Sequence, residues 1–532
     1  VVSFDGKEIL VGRKAWNRAA AFPEESIRSV KRLMGAMERL SLGGGNYDPE
    51  DISAMILRYL CEEARKLEGR KVERAVITVP AYFSDAQRRA TIEAGKRAGL
   101  TVERIINEPT AAALFYDHVT VASEEEADAK GNADVYALVY DLGGGTFDVS
   151  VLRMGDIIEV LSSTGDTYLG GDDFDKRLLA RVLEQIKNTE GLDLSDYVPA
   201  LARLGLVVER AKIALSNKAS ARIQETRIPA PKGKSCSVSM EFSREGFESL
   251  TKDLVDRTLA SVEKAMEEAK LSPEKIDKVL LVGGMTRMPV ISARLEEIFG
   301  AARLPVVDPD RSVSNGAAIQ GGIISGENCE QILVDVTPHT LSLETLSQSD
   351  DLMRECVPII PRNTQIPVTR ARTFATTTYH QKAAELKVYQ GESRDPDENT
   401  MIGKTLLALA PAEAHCPVLV EYSYDLNGMV RLVAEQKGYS RKTEIRVDSR
   451  NPQLFASQEL EELGEEEDEG ERSRSAVNFV TRRARALLEK MKEGEKRQTL
   501  FDLLERYEKA LLEEESDDVD RLEDELLSLM EE

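Results

Sequence analysis

The stretch Val135 to Met154, VYALVYDLGGGTFDVSVLRM, contains two apolar runs on either side of three consecutive glycines. Runs rich in β-branched and aromatic residues around a glycine turn predict a β-hairpin, with strands Val135 to Tyr140 and Phe147 to Met154. Because glycine lacks a Cβ, we expect residues 143–145 to take positive φ. Their N–H groups would then turn inward and form a nest for a phosphate.

Two aspartates flank this glycine tip. Asp141 ends the first strand and Asp148 begins the second, so their carboxylates face each other across the turn. Carboxylates in this position can hold Mg²⁺ through its waters or orient an attacking water. An ordinary hairpin turn with acidic shoulders is the alternative interpretation.

Length and composition restrict the class of protein. A chain of 532 residues is too long for one core, and 94 acidic against 70 basic residues argue against nucleic acid as the main partner. The five cysteines show no CxxC spacing, which disfavours a zinc site or a disulfide framework and favours a reducing, cytoplasmic setting. No apolar run approaches the ~18 residues of a membrane span.

The first third of the chain alternates strands and helices. Strands are predicted at 72–80 and 101–106, with helices at 48–68, from Ser84 to Ala98 and from Pro109 onward. This order indicates an α/β sheet with functional residues where strands end. Glu108 lies at such an end, either as a helix N-terminal charge or as a base facing a ligand. Lys31, in a short helix or turn at 26–35, is by itself typical of a surface charge.

Two further glycine pairs precede helices. Gly170 and Gly171 stand before a helix near Asp172, and LVGGMTRMP places another pair between a strand and a helix. Backbone N–H groups without side chains at a helix N-terminus can bind a phosphate. Three glycine turns in one α/β region indicate a phosphate site more specifically than one turn does. The helix 204–215 carries Glu209, Lys212 and Ser216 on one face, which is usually a solvated face. The small-residue helix 315–322 suits close packing.

The composition changes after residue 326. The apolar ribbon ILVDV at 332–336 precedes short strands with turn signals over 337–447, which predict a separate β domain. Residues 459–471 carry nine acids and no bases, so we expect a solvated linker. Amphipathic helices are predicted at 476–492, 495–514 and 517–531.

Several strings, in order along the chain, resemble the DnaK-type 70-kDa heat-shock chaperones over about residues 1–450: YDLGGGTFD, VITVPAYFSDAQR, INEPTAAAL, GDTYLGGDDFD, ERAKIALS, LVGGMTRMP, VDVTPHTLSLET and YQGE. The resemblance implies an α/β actin-like (ribonuclease H-like) ATPase domain, then a β-sandwich peptide-binding domain and a short α-helical C-terminal segment. The implied boundaries are 1–326 for the nucleotide-binding domain, 327–336 for the linker, 337–450 for the sandwich, 451–475 for the acidic linker and 476–532 for a lid-like segment.

The resemblance also implies ATP or ADP with Mg²⁺ as cofactors and assigns residues to them. The catalytic set is Lys31, Glu108, Asp141, Thr146 and Asp148, with Asp141 and Asp148 holding Mg²⁺ through water. The nucleotide-binding set is Gly143, Gly144, Gly145, Gly170, Gly171, Glu209, Lys212, Ser216, Gly283, Gly284, Arg287 and Asp310.

By the same resemblance, Pro80 and Arg88 match an interdomain switch, Arg104 a J-domain contact, and Asp335 the docking linker.

The resemblance also implies a peptide-binding cleft in the β-sandwich, where a strand edge can bind an extended peptide while a pocket takes one side chain. The residues that match this cleft are Leu343, Leu346, Phe374, Thr377, Ala384 and Leu386. Ordinary sandwich core is the alternative for the apolar ones. Ala384 replaces a bulkier aliphatic residue, which predicts a wider central pocket.

The implied function is an ATP-dependent chaperone for extended, unfolded polypeptides, acting with a J-domain protein and a GrpE-type exchange factor. The family's first phosphate hairpin, a GIDLGTT-like string, does not occur, and Val1 opens a predicted strand, so we expect an N-terminal piece upstream. The stretch 39–49 and the C-terminal part are shorter than in the family. The alternatives are a non-hydrolysing regulatory or co-chaperone module and a small-molecule kinase.

Overall fold

The computed structural model describes residues 1–123, 134–155, 157–305, 308–327, 331–347, 354–412, 414–439, 441–447, 495–512 and 522. The chain divides into two compact units, residues 1–343 with 356–453 and residues 344–355 with 454–532. In the second unit, helix α11 spans Glu495–Leu512, within the predicted 495–514. The acidic segment 459–471 and the predicted helices 476–492 and 517–531 lie outside the described residues, apart from residue 522.

The first part of the chain follows the predicted alternation of strands and helices, with an additional short helix and hairpin. Its elements are β1 Val2–Phe4, β2 Ile9–Val11, α1 Arg13–Ala19, β3 Ser26–Ile27, β4 Leu40–Leu42, β5 Gly45–Tyr47, α2 Pro49–Glu68, β6 Arg74–Val79, α3 Asp85–Arg97, β7 Thr101–Asn107 and α4 Glu108–Ser123. β6 and β7 are parallel. In α2, Ile52 is buried, whereas Tyr59 and Leu60 are exposed.

A six-stranded sheet forms the centre of the larger unit, in the order β13, β8, β9, β10, β14, β17. These strands are β8 Val135–Leu142, β9 Phe147–Met154, β10 Ile157–Asp166, β13 Lys278–Val282, β14 Ile332–Val336 and β17 Gln365–Ile366. Along β8, Leu138 and Tyr140 belong to one hydrophobic core while Ala137 and Val139 belong to another. Since successive side chains point to opposite faces, a strand covered on both sides reads as a continuous apolar run.

Helices and a long hairpin cover this sheet. They are α5 Gly171–Glu190, α6 Val198–Leu215, β11 Ser220–Pro229, β12 Ser235–Ser243, α7 Arg244–Leu250, α8 Lys252–Ala269, α9 Pro289–Phe299 and α10 Ser312–Ile324. No element is predicted from the sequence for residues 217–277, where β11, β12, α7 and α8 lie. In α8, Leu254, Thr258 and Val262 are buried at intervals of four, which is the helical period that would have revealed this helix.

The β-rich part forms two four-stranded sheets around one core, as the turn signals predict. The strands are β15 Leu341–Leu346, β16 Arg354–Ile360, β18 Val368–Ala375, β19 Ala383–Gln390, β20 Thr400–Ala408, β21 Pro417–Tyr424, β22 Val430–Gln436 and β23 Arg441–Arg446. The sheet orders are β16, β15, β19, β20 and β18, β21, β22, β23. Val388, Ile402, Val420 and Leu432 are among the buried residues that join the sheets.

Candidate functional site

The glycine hairpin forms as predicted, but the backbone of its tip does not have the expected conformation. β8 and β9 pair so that Asp141 lies directly opposite Asp148, and the Gly143 N–H donates to the Thr146 carbonyl at 3.1 Å. None of the glycines 143–145 has a positive φ, so the expected left-handed conformation is wrong. The carbonyls of Gly143 and Gly144 instead accept hydrogen bonds from the N–H groups of residues 171 and 172, at 2.9 and 2.8 Å.

The three predicted glycine turns meet at one place. A Cβ on Gly170 would lie 2.7 Å from the Gly144 carbonyl carbon, so the second turn touches the first at backbone distance. Gly283 has φ +84°, and a Cβ there would lie 2.4 Å from the Leu142 carbonyl oxygen and 2.8 Å from a carboxylate oxygen of Asp141. Glycine is required at both positions because any side chain would collide with main chain.

A charged cluster lies beside these turns. The Lys31 ammonium contacts both carboxylate oxygens of Glu108 at 2.8 and 3.0 Å. The Tyr82 N–H donates to one carboxylate oxygen of Asp148 at 2.9 Å. Lys31 keeps 46% of its side chain open to solvent, whereas Asp141 and Asp148 are buried. The cluster therefore joins four predicted catalytic residues, and the fifth, Thr146, is buried at the end of the same turn.

Burial and mutual repulsion control the ionisation of the two aspartates. Burial, then repulsion from Glu108, raises the pKa of Asp148 to about 7, although the Tyr82 N–H and Lys31 oppose this shift. Burial, then repulsion from Glu108 and Asp148, raises the pKa of Asp141 well above its ordinary value. Partial burial disfavours the charged form of Lys31, but attraction to Glu108 and the two aspartates outweighs this effect and raises the pKa of Lys31.

Three carboxylates facing one ammonium fit a divalent cation, because added positive charge relieves their repulsion. Within the described part of the chain, no three His, Cys, Asp or Glu side chains are grouped closely enough to chelate a metal by themselves. This donor set suits an ion that keeps most of its waters, as Mg²⁺ usually does.

The rest of the predicted nucleotide-binding set lies at α6 and in the turns after β13. Each of its polar side chains has a partner. Glu209 accepts from Arg28 at 2.8 Å. The buried Lys212 ammonium donates to Asp175 at 2.7 Å and to the Gly171 carbonyl at 2.9 Å. The Ser216 hydroxyl lies 3.2 Å from the Met288 sulfur. The Glu209 trio is therefore not simply a solvated face.

The last two members of the predicted set pair with each other. Arg287 donates to Asp310 at 2.6 Å, and both side chains are about half exposed. A Cβ on Gly284 would lie 3.9 Å from Asp310, so the pair borders the third glycine turn.

Two of the predicted interdomain residues, Arg88 and Asp335, are connected at the strand β14. The Arg88 guanidinium is buried and donates to the Ala81 carbonyl at 3.0 Å and to the Asn107 side chain at 2.7 Å. The Asn107 amide in turn donates to Asp335 at 2.8 Å, and the Thr110 hydroxyl does so at 3.1 Å. The Arg88 side chain is thus connected to the linker aspartate through one residue.

Pro80, predicted for the interdomain switch, and Arg104, predicted as a J-domain contact, make fewer hydrogen bonds. Pro80 is buried, and its carbonyl accepts from the Phe83 N–H at 3.2 Å. The Nε of Arg104 is buried without a hydrogen-bond partner among the described residues. Burial lowers the pKa of Arg104, and attraction to Asp335 opposes this effect.

The comparisons with known proteins agree with this architecture. A family model described as "Hsp70 protein" matches residues 1–532. The chain belongs to the Hsp70 family. The curated "Chaperone protein DnaK" of Thermotoga neapolitana is 42% identical over 452 residues, which cover 84% of this chain and 73% of the relative. The protein of the same name from Ureaplasma urealyticum is 40% identical over 486 residues, which cover 90% of this chain and 77% of the relative.

Hsp70 membership implies the actin-like ATPase and β-sandwich fold, and the structure is accordingly mixed α/β. As an Hsp70, the chain is an ATP-dependent molecular chaperone and an ATPase, and its class binds nucleotide, unfolded polypeptides and co-chaperones. No helix in the described ranges is both long and apolar enough to cross a membrane. The predicted domain boundaries stay predictions, since residues 1–343 and 356–453, which include most of both the ATPase and the sandwich parts, form one compact unit.

The predicted peptide-binding residues occupy different environments in this Hsp70. Leu343 and Leu386 are buried in the sandwich core, which is the alternative left open by the sequence. Phe374 and Ala384 are partly buried against that core, whereas Leu346 and Thr377 are exposed. Their peptide-binding role stays a prediction.

Several residues at these sites were missed. Arg32 donates to the Gly145 carbonyl at 2.8 Å and pairs with Asp173, and Asp175 pairs with Lys212. Both aspartates belong to the quoted string GDTYLGGDDFD, and Arg32 follows Lys31, so proximity to a motif was the available signal. His339, in VDVTPHTLSLET, gave no signal in the sequence, because its partner Tyr82 is 257 residues away.

Proposed function

We propose that this Hsp70 is a peptide clamp whose affinity for extended polypeptides is set by the nucleotide in the glycine-lined cleft. The observation that supports this proposal is the position of β14. This linker strand pairs in parallel with β10, and Ile332, Leu333 and Val334 lie opposite residues 157–159. The same sheet contains β8 and β9, which carry Asp141 and Asp148. A change of nucleotide that shifts the β8–β9 hairpin would therefore also shift the neighbouring strands of the sheet, including the linker strand β14.

In the cleft, we assign the phosphates to the backbone around residues 143–145, 170–171 and 283–284. Asp141 and Asp148 would hold Mg²⁺ through its waters, and the ion would supply positive charge for the developing charge on the phosphates. Lys31 would orient the phosphate and the attacking water, with Glu108 fixing its ammonium through two contacts near 3 Å. The Tyr82 N–H holds the Asp148 carboxylate in a single orientation.

The adenosine side would be formed by α6 and the turns after β13. Lys212 contacts the Gly171 carbonyl and Ser216 contacts the Met288 sulfur. These contacts would hold this wall of the cleft in place before nucleotide binds. Arg287 and Asp310 lie at the open edge, where their half-exposed pair can stack on or bond to the base and ribose.

Coupling would pass through Asp335. This buried carboxylate accepts hydrogen bonds from Asn107 and Thr110, which lie at the junction of β7 and α4 next to Glu108. In the other nucleotide state, β14 would leave the sheet. Asp335, Asn107 and Thr110 would then form hydrogen bonds with water, and the sandwich would no longer be held against the ATPase part. Two sites coupled through two global states meet the definition of allostery.

We further propose the partners that such a cycle requires. A J-domain protein would act near Arg104, whose guanidinium is incompletely paired, and a GrpE-type factor would open the cleft for exchange. Extended polypeptide would bind at the sandwich through strand edges and the cleft around Leu343, Phe374 and Ala384.

The decisive experiment measures the affinity of the full chain for a fluorescent extended peptide, with Mg·ATP and with Mg·ADP. We expect at least about tenfold weaker binding with ATP, equivalent to ~1.4 kcal/mol of coupling. Equal affinity with both nucleotides would refute the coupling, and absence of peptide binding with either would refute the proposed clamp.

A further inference from the structure

A histidine joins the sandwich to the nucleotide cleft. His339 lies between β14 and β15, and its Nε2 is 3.3 Å from the Tyr82 carbonyl oxygen. The two rings pack edge to face, with centroids 4.4 Å apart and an interplanar angle of 62°. Tyr82 is also the residue whose N–H donates to Asp148. His339 is therefore separated from the proposed catalytic carboxylate by one residue, and none of the roles described above uses it.

The contact depends on a neutral imidazole. A carbonyl oxygen can only accept, so the proton of the neutral ring lies on Nε2. Adding a proton to the other nitrogen would place a full charge on a side chain that is only partly accessible to solvent.

The charged groups around His339 do not compensate for this cost. Glu392 favours a charged imidazole, but it already accepts two hydrogen bonds from Thr340. Arg362, which pairs with Glu268 at 2.9 Å, and Arg88 on α3 both disfavour the charge. Burial is the largest effect and, with these arginines, lowers the pKa of His339 to about 4 despite the Tyr82 carbonyl and Glu392.

We propose that His339 is a proton-sensitive positioning residue, which holds Tyr82 and thereby the Asp148 site while neutral and releases the docked sandwich when it is protonated. The inference rests on the proposed coupling between nucleotide and docking. It adds to that coupling a second input, acidity, through a side chain outside the nucleotide cleft.

The direction of the effect follows from linkage. In the undocked state the ring is hydrated and titrates near the ordinary value of about 6.5. The docked state binds this proton less tightly, so docking is fully stable above that value and weakens as the pH falls from about 6.5 towards about 4. With these pKa values for the undocked and docked states, the equilibrium constant for docking should fall about tenfold between roughly pH 7.5 and 5.5.

The test is pulsed hydrogen–deuterium exchange of the β14 amides within seconds of mixing the full chain with Mg·ATP. Protection is corrected for the intrinsic exchange rate at each pH and compared between about pH 7.5 and 5.5. In the unmodified chain we expect about a tenfold loss of protection. His339→Gln keeps a donor for the Tyr82 carbonyl without a titratable ring, so its protection should change less than about twofold. His118→Gln, which alters an exposed histidine on α4, should behave like the unmodified chain.

A second readout is the ratio of single-turnover ATP hydrolysis rates between His339→Gln and the unmodified chain. This ratio should rise as the pH falls, and a ratio independent of pH would contradict the proposal. If His339→Gln does not fold, His339→Leu and direct NMR titration of the four histidines replace it. Equal pH dependence in all three chains would remove His339 as the cause. Absence of ATP-dependent protection at neutral pH would instead refute the proposed coupling, together with this inference.

Discussion

The carboxylate of Asp148 is buried, and its surroundings raise its pKa to about 7. One substitution, Asp148→Asn, tests the role of this charge in both catalysis and stability. Asp148→Asn keeps the size and the acceptor for the Tyr82 N–H but removes the charge. We expect single-turnover ATP hydrolysis to slow by about 10²- to 10⁴-fold, because a positioned group that orients or deprotonates water contributes on this order. Rapid-quench assays with pre-bound ATP measure the rate.

Nucleotide affinity is the control for this experiment and should stay within about tenfold, a change of ~1.4 kcal/mol. Asp253→Asn, which alters an exposed aspartate paired with Arg177, should leave the hydrolysis rate unchanged. Unaltered hydrolysis in Asp148→Asn would remove this carboxylate from the reaction.

The same substitution should stabilise the chain without nucleotide and Mg²⁺. Because the native pKa is raised, the unfolded carboxyl ionises first, and stability falls as the pH rises from about 4 to about 7. Asp148→Asn removes this penalty, which is at most ~4 kcal/mol for a shift of this size. Thermal unfolding should show a higher Tm for the variant near pH 8 and little difference near about pH 4. A lower Tm at neutral pH would contradict this account.

At the scale of elements, the close approach of three glycine turns is the feature to test. Gly283 and Gly300 have nearly the same backbone conformation, with φ 84° and 87° and ψ 147° and 139°. Only Gly283 faces main chain within contact distance, whereas nothing lies within 4 Å of a Cβ on Gly300. Substituting alanine at both glycines therefore distinguishes the cost of backbone strain, which both variants have, from the cost of a steric collision, which only Gly283→Ala has.

Gly300→Ala should cost about 1–3 kcal/mol of unfolding free energy from strain alone. Gly283→Ala adds a collision with the Leu142 carbonyl and should cost about 1–3 kcal/mol more, together with weaker ADP binding. Urea unfolding and ADP titration measure both quantities. Equal losses in the two variants would show that the turns are not pressed together in solution.

At the scale of the whole molecule, Asp335 connects the sandwich to the ATPase part. Asp335→Ala leaves the buried Asn107 amide and Thr110 hydroxyl without their acceptor, which costs about 1–3 kcal/mol in the docked state only. Peptide affinity should then differ by less than about twofold between ATP and ADP, since docking no longer follows the nucleotide. Fluorescence anisotropy with a labelled peptide measures this ratio.

Asp193→Ala is the matched control, because this exposed aspartate pairs with Lys187 far along the chain from the linker. It should retain the full ATP effect on peptide affinity. A normal ATP effect in Asp335→Ala would show that coupling does not depend on this carboxylate.

Most of the site could be predicted because its chemistry is local in sequence. The glycine turns, their flanking strands and Asp141 opposite Asp148 follow from apolar runs on either side of a three-glycine turn, and the structure contains them. The conformation of the glycines could not be predicted. Their φ values depend on carbonyls that bond to residues 171 and 172, which lie more than twenty positions away.

The sequence by itself determined the family, the order of most strands and helices outside 217–277, and most of the residues proposed to act on nucleotide, because each is written in a short contiguous motif. Only the tertiary structure decided that Lys31 pairs with Glu108, that Asp335 is bound by Asn107 and Thr110, and that His339 packs on Tyr82. These contacts join residues 77 to 257 positions apart. Local periodicity carries no information about such pairs, since they form when separate elements pack and exclude water from the groups between them.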